Sequence, residues 1–213
     1  MNSPYRLHPA SSQKPVRPAI DAGRAGPSKL ELLLAYEAAI RAGRDVDQII
    51  LHAVNDTRDI CNFLQACFLR RSRNGRFRVE AVSSLSGVDR NSPFVRWIEK
   101  LCNQQFDDAK TQAQVFSISA EDSQSGGNGM VYPFRHFAGL PLCDRKGDGY
   151  GLLLFSRDKP FDDASLVVGQ RVASATSHAI CALTPPGRLK AFSLPAKWLA
   201  ALGILDFLAL FIP

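Results

Sequence analysis

Five cysteines (Cys61, Cys67, Cys102, Cys143, Cys181) and four histidines (His8, His52, His136, His178) are the side chains of this 213-residue chain best suited to covalent or metal chemistry. Their spacing points to neither. An odd number of cysteines with no CxxC pair and no regular interval does not make a disulfide framework, which agrees with a reducing compartment. A zinc site needs Cys or His in pairs a few residues apart, and here each histidine stands alone, so no metal centre is expected. His136 follows Arg135 between apolar neighbours, and on a strand Arg135 and Phe137 would point one way and His136 the other. That leaves His136 as an inward, hydrogen-bonded ring or as an anion ligand. His178, among Ala and Ser, reads as packing. Gly126-Gly127-Asn128-Gly129 lacks the Lys-Ser/Thr and the strand-to-helix setting of a phosphate-cradling loop, and no Ser, His and acid constellation appears. The residues therefore indicate no enzyme and name no cofactor.

The elements that would position these residues are legible in the periodicity. Ser28 can cap a helix from Lys29, with Glu31 in its first turn and Gly43 at its end. Asp45 caps a second, VDQIILHAVNDTRDICNF, whose Val46, Ile49, Ile50, Ala53, Val54 and Ile60 share a stripe. The period then changes from 3.6 to 2. LQACFLRRS and FRVEAVSSLS read as antiparallel strands joined at Asn74-Gly75. Asn91 or Ser92 can cap a third helix, PFVRWIEKLCNQQ, with Phe94, Trp97, Ile98 and Leu101 inward and Pro93 where its missing N–H is harmless. A short helix or turn follows near Asp107 to Gln112. AQVFSIS is a third strand and EDSQSGGNG a loop. YPFRHFAGLPLCD and YGLLLFSRD flank the turn RKGDG, their near-continuous Leu and Phe content suiting central strands. ASLVVGQRVASATSHAICAL is the last helix, ending before Pro185-Pro186.

Composition bounds the rest. The chain is 46% hydrophobic and 22% charged with a net charge of +6, which suits one globular domain plus tails. The positive charge is scattered and mild for a nucleic-acid binder, so no nucleic-acid partner is expected. Residues 1–27, rich in Pro, Ser and Ala with four basic residues, read as a disordered basic tail without a signal-peptide core. Residues 28–184 form the domain and 185–197 a basic linker. Residues 198–213, WLAALGILDFLALFIP, are apolar all round and read as the start of a transmembrane helix, slightly shorter than the 17 to 25 residues such a span takes. The chain therefore reads as truncated within its span. Asp206 opposes insertion by roughly 2.5 to 3.5 kcal/mol, which the Leu and Ile of the run can offset. Arg188, Lys190 and Lys197 beside the span place residues 1–197 in the cytoplasm, with the chain a single-pass protein of the inner membrane.

From Leu30 to Leu183 the order of elements resembles a GAF domain, the small-ligand sensing module of many bacterial signalling proteins. The closing third carries most of the likeness: the strand FAGLPLCD, the strand YGLLLFSRD, then Lys159-Pro160-Phe161-Asp162-Asp163 leading into the long last helix. With the linker and span, the chain also resembles the cytosolic N-terminal part of haemolysin-D-type membrane-fusion adaptors. The GAF resemblance implies an α+β fold, an antiparallel sheet with helices on one face and a ligand pocket on the other, roofed by the third helix. By position that pocket would be lined by Phe94, Trp97, Ile98, Leu101, Met130, Tyr132, Phe134, His136 and Leu140. Residues at helical spacing such as Phe94, Trp97 and Leu101 are also ordinary core residues.

The resemblance narrows the chemistry. No NKFDE-type run marks a cyclic-nucleotide binder, and no cysteine is followed by histidine as in bilin-carrying relatives. Free methionine sulfoxide reductases share the fold and need a low-pKa thiolate with a resolving partner. Cys61, Cys67, Cys102 and Cys143 could supply them, but Cys102 sits in a helix and Cys61 and Cys67 lack that family's spacing, so such a cysteine-dependent enzyme is the third and last reading. The expected function is a non-catalytic, membrane-tethered sensory module that binds an unidentified small ligand or a partner domain. The alternative is a dimerisation platform that has lost its ligand, a homodimer paired through Leu33, Tyr36 and Ile40 of the first helix and Val168, Val172 and Ala175 of the last.

Overall fold

The computed structural model describes residues 26–106, 112–119 and 132–185. Helices α1 (Lys29–Ala42), α2 (Val46–Asn55) and α3 (Arg58–Cys61) come first, then strands β1 (Gln65–Arg71) and β2 (Phe77–Val82). Helix α4 (Pro93–Gln105), strands β3 (Gln114–Ser117), β4 (His136–Cys143) and β5 (Gly149–Arg157), and helix α5 (Asp163–Leu183) complete the order. The five strands form one antiparallel sheet in the order β2-β1-β5-β4-β3.

Helix starts follow local chemistry. Ser28 and Glu31 make a reciprocal capping box, and the Asp45 and Asp162 carboxylates accept the backbone N–H groups of Gln48 and Ser165. Ser92 occupies the cap position of α4 without a side-chain bond, so Pro93 alone marks that start. The single second helix expected from the sequence is two, α2 and α3. Thr57 donates its hydroxyl to the Ala53 carbonyl at 2.6 Å, a local bond that competes with the helical ladder, and Asn62 then stops α3 in the left-handed region at φ 50°.

Both hairpins use one device. Ser72 and Arg76 pair around Arg73-Asn74-Gly75, and Asp144 and Asp148 pair around Arg145-Lys146-Gly147. Gly75 and Gly147 sit at φ 81° and 85°. These are three-residue loops closing on a left-handed glycine, rather than the two-residue turn that Asn-Gly alone suggests.

The sheet divides two apolar layers by alternation, interrupted in β2 where a register shift between Val79 and Ala81 turns Ala81 to the other layer. Helices α1, α2 and α5 cover one face, where Tyr36, Ile49, Val54, Phe68, Leu140, Leu153, Phe155 and Val172 are buried together. Helix α4 covers the other, with Cys67, Leu69, Val79, Trp97, Ile98, Phe137, Leu152 and Leu154. Tyr36 and Thr176 join α1 to α5 by a buried 2.6 Å hydrogen bond, and the buried Glu37 carboxylate accepts from Arg41 and Arg171, each at 2.7 Å. The Lys159–Asp163 turn is held by Arg157, whose guanidinium donates to the carbonyls of Asn62, Lys159 and Pro160 and lies 4.0 Å from the Phe161 ring.

Tyr36, Ile40 and Val172 belong to this core, which corrects their expected role in pairing two copies. Leu33, Val168 and Ala175 pack against the same core. No helix among the described residues is long and apolar enough to cross a membrane. The expected span at 198–213, the linker beyond Pro185, most of the basic tail and the loop at 121–129 lie outside the described residues.

Candidate functional site

Helix α4 is fixed to the sheet at its edge. Strand β2 is the last strand on its side, so its outward backbone groups need partners. Asn103 accepts the Phe77 N–H at 2.8 Å and donates to the Phe77 carbonyl at 3.1 Å, while Glu99 accepts the Val79 N–H at 3.1 Å. Two polar residues one helical turn apart thus stand in for a sixth strand. Arg78 neutralises Glu99 at 2.8 Å.

That attachment swings an aromatic face over β4 and β3. Trp97 and Tyr132 stack with centroids 4.6 Å apart, Phe94 meets Tyr132 at 5.2 Å and Phe134 at 6.3 Å, and Trp97 meets Phe137 edge-on at 6.1 Å. Phe116 lies opposite Phe137 in the β3–β4 register and stacks on it at 5.1 Å; Phe106 follows at 5.9 Å from Phe116. Gly139 makes the last contact feasible, since a Cβ there would lie 2.0 Å from the Phe106 ring. Tyr132 is half-buried and its hydroxyl is pushed up by desolvation, so it stays a neutral phenol at physiological pH.

Of the nine residues named from topology, Phe94, Trp97, Ile98, Leu101, Tyr132 and Phe134 do gather in this layer. Only Phe94 and Tyr132 are half-exposed; Ile98 and Leu101 are core beneath them. Two placements are corrected. Leu140 is buried on the opposite face, against Gly169 of α5, because it lies an odd number of residues from Phe137 and alternation reverses its direction. His136 shares Leu140's parity and hydrogen-bonds Ser117 Oγ at 2.7 Å. Met130 lies outside the described residues. Sequence reading missed Phe116 and Phe106, whose signal is only an apolar position on a short strand and one past a helix end. It also missed Glu99 and Asn103, visible as an i, i+4 polar pair on an otherwise apolar helix face.

All five thiols are raised by burial. Cys67 and Cys102 are buried in this layer, and burial pushes the Cys67 thiol up to about 12 and the Cys102 thiol well above its usual range. Cys61, on the other face, is likewise pushed up to about 12. Half-buried Cys143 and Cys181 lie across the β4–α5 junction, both raised by burial. Among the described residues no group of three or more His, Cys, Asp or Glu can hold a metal ion.

No protein-family model and no curated protein matches the sequence. Solved structures do. The GAF domain of an Acinetobacter phosphoenolpyruvate-protein phosphotransferase is 15% identical with a TM-score of 0.51, over 75% of this chain and 96% of that one. Free methionine-R-sulfoxide reductase from Neisseria meningitidis, in complex with its substrate, is 15% identical with a TM-score of 0.53, over 73% and 89%. The chromophore-binding domain of a bacteriophytochrome from R. palustris is 9% identical with a TM-score of 0.50, over 72% and 61%. At these identities the likeness is one of architecture: the chain has a GAF fold, with the five-stranded antiparallel sheet and flanking helices described above.

Proposed function

We propose that this chain is a non-catalytic GAF regulatory module that takes a small, flat, apolar-faced ligand against α4, tethered to the inner membrane by residues 198–213 with residues 1–197 in the cytoplasm. The observation that carries the ligand reading is the Phe94–Tyr132–Trp97 group: half-exposed Tyr132 stacked on buried Trp97, with half-exposed Phe94 edge-on to Tyr132 and Phe137 and Phe116 packed behind. Stacked rings with exposed edges accept a planar guest by dispersion and quadrupole contacts. Two structures of similar fold are described as substrate-bound and chromophore-binding, which supports the use of this architecture for small molecules. Raised thiols support the non-catalytic part. The tether rests on the sequence of residues 198–213 and its basic flank.

A ligand shifts such a module only by its differential affinity for two states. The test is a thermal-shift screen of the full chain in detergent against nucleosides, aromatic amino acids and other planar compounds. A ligand at 100 times its dissociation constant stabilises the fold by about 2.7 kcal/mol. A concentration-dependent hit that Tyr132→Ala weakens and His136→Ala does not is expected. Hits indifferent to Tyr132, or silence across the panel, would overturn the reading.

One observation favours pairing of copies as a second role. Leu30 and Leu34, one turn apart on α1, are 64% and 58% exposed, and Val167 of α5 is 64% exposed. These outward residues, in place of the buried ones named from sequence, would make the contact. Sedimentation velocity should show a dimer that Leu30→Glu with Leu34→Glu converts to monomer; a wild-type monomer at all concentrations would remove this role.

A further inference from the structure

The positive charge is far less scattered than the composition suggests. Residues 70–104 hold eight Arg and Lys against three Asp and Glu, a local +5 of the chain's net +6. The fold draws part of this run around one groove of about 700 Å³ between the β1–β2 hairpin and the outer side of α4, lined in part by Arg76, Arg78, Arg96, Lys100, Glu99 and Gln104.

Among its described lining residues the one acid is already committed. Glu99 Oε1 accepts the Val79 N–H and Oε2 accepts from Arg78. Arg96 spends one donor on Asn91 at 3.0 Å. Among the described residues Arg76 and Lys100 are exposed and have no carboxylate partner. Asn103 and Glu99 occupy the Phe77 N–H and C=O and the Val79 N–H, which blocks an added strand at those positions, and the groove offers cationic N–H donors. Like charges held around one concavity repel, and a multivalent anion relieves that repulsion while guanidinium groups bind phosphate oxygens in pairs.

We propose that this groove binds a small oligophosphate, a soluble molecule bearing two or more adjacent phosphate groups. Phe106 is its one contact with the aromatic layer, and none of Phe94, Trp97 and Tyr132 lines it, so it is a site separate from the one proposed above. An open groove ringed by guanidinium and ammonium groups suits a compact anion of high charge density, and a lipid surface and a polymer are alternatives that the experiment separates.

Sodium tripolyphosphate titrated into the full chain, followed by calorimetry at about 0.05 M and about 0.3 M salt, tests this. The expected result is saturable one-to-one binding that weakens with salt and falls by about tenfold in Arg76→Gln with Lys100→Gln, two charge-assisted contacts being lost. Arg44→Gln with Lys159→Gln removes the same charge from exposed positions elsewhere, and should leave affinity within about twofold since distant exposed charges are screened. Equal loss in both pairs would reduce the effect to net charge and overturn the site, as would absence of saturable binding. Binding only to phosphatidylcholine vesicles with about 30% phosphatidylglycerol, or only to a single-stranded RNA of about twenty nucleotides, would overturn it in favour of a lipid or a nucleic-acid surface.

Discussion

At the scale of single residues, burial decides which groups can react. The Cys61, Cys67 and Cys102 thiols hold their protons because the apolar layers around them do not solvate a thiolate. Brief iodoacetamide treatment of the native chain at pH 8 should therefore alkylate Cys143 and Cys181 first, with the other three modified only in denaturant; peptide mass spectrometry reads the order. Early modification of Cys67 or Cys102 would reopen a thiol mechanism. Glu37 behaves oppositely. Its hydrogen bond and ion pair with Arg171, aided by Arg41, hold its carboxyl below the usual carboxylate value. A depressed carboxylate pKa gives stability that is present above the unfolded value near 4.5 and lost as pH falls through the folded value. Glu37→Gln should lower the urea midpoint at pH 7 and narrow the gap to wild type at pH 3.5. A gap that widens in acid would contradict the assignment.

At the scale of elements, periodicity and capping made most of the fold legible. Ser28, Asp45, Pro93 and Asp162 mark the starts of α1, α2, α4 and α5, and the two glycine turns mark both hairpins. What stayed hidden depended on pairing register, which local patterns do not encode. The face occupied by Leu140 and His136 follows from their parity relative to Phe137, which packs against Trp97 and lies opposite Phe116 in the register. The α2–α3 break has a different origin, for it coincides with a local bond from the Thr57 hydroxyl to the Ala53 carbonyl that an unbroken apolar stripe does not reveal. Two substitutions probe the elements. Gly147 has a left-handed backbone and open space around a built Cβ, so Gly147→Ala should cost about 1 kcal/mol from backbone strain alone, read from the denaturant midpoint. Gly139→Ala must displace Phe106, an overpacking cost of about 1 to 3 kcal/mol. Phe106→Leu should partly suppress it, and full additivity in that double-mutant cycle would show that the close approach is not the cause.

For the whole molecule, the sheet separates two kinds of work. One face binds α1, α2 and α5 through a large apolar core, the Tyr36–Thr176 bond and the Glu37 bridge. The other carries α4, with a stacked aromatic group on one side and a cationic groove on the other. A molecule held on either side changes the cost of moving the same helix, so the two proposed ligands should affect each other's affinity by equal factors.

The bonds from Asn103 and Glu99 to Phe77 and Val79 give that movement a built-in reporter. Those two amide protons are shielded by a helix side chain rather than by a neighbouring strand, so their exchange with deuterium measures how often α4 lifts, independently of global unfolding. Each lifting also bares the outer rail of β2, a template on which another chain can pair. The tendency of this protein to aggregate should then track the deuterium uptake of Phe77 and Val79 more closely than it tracks the melting temperature.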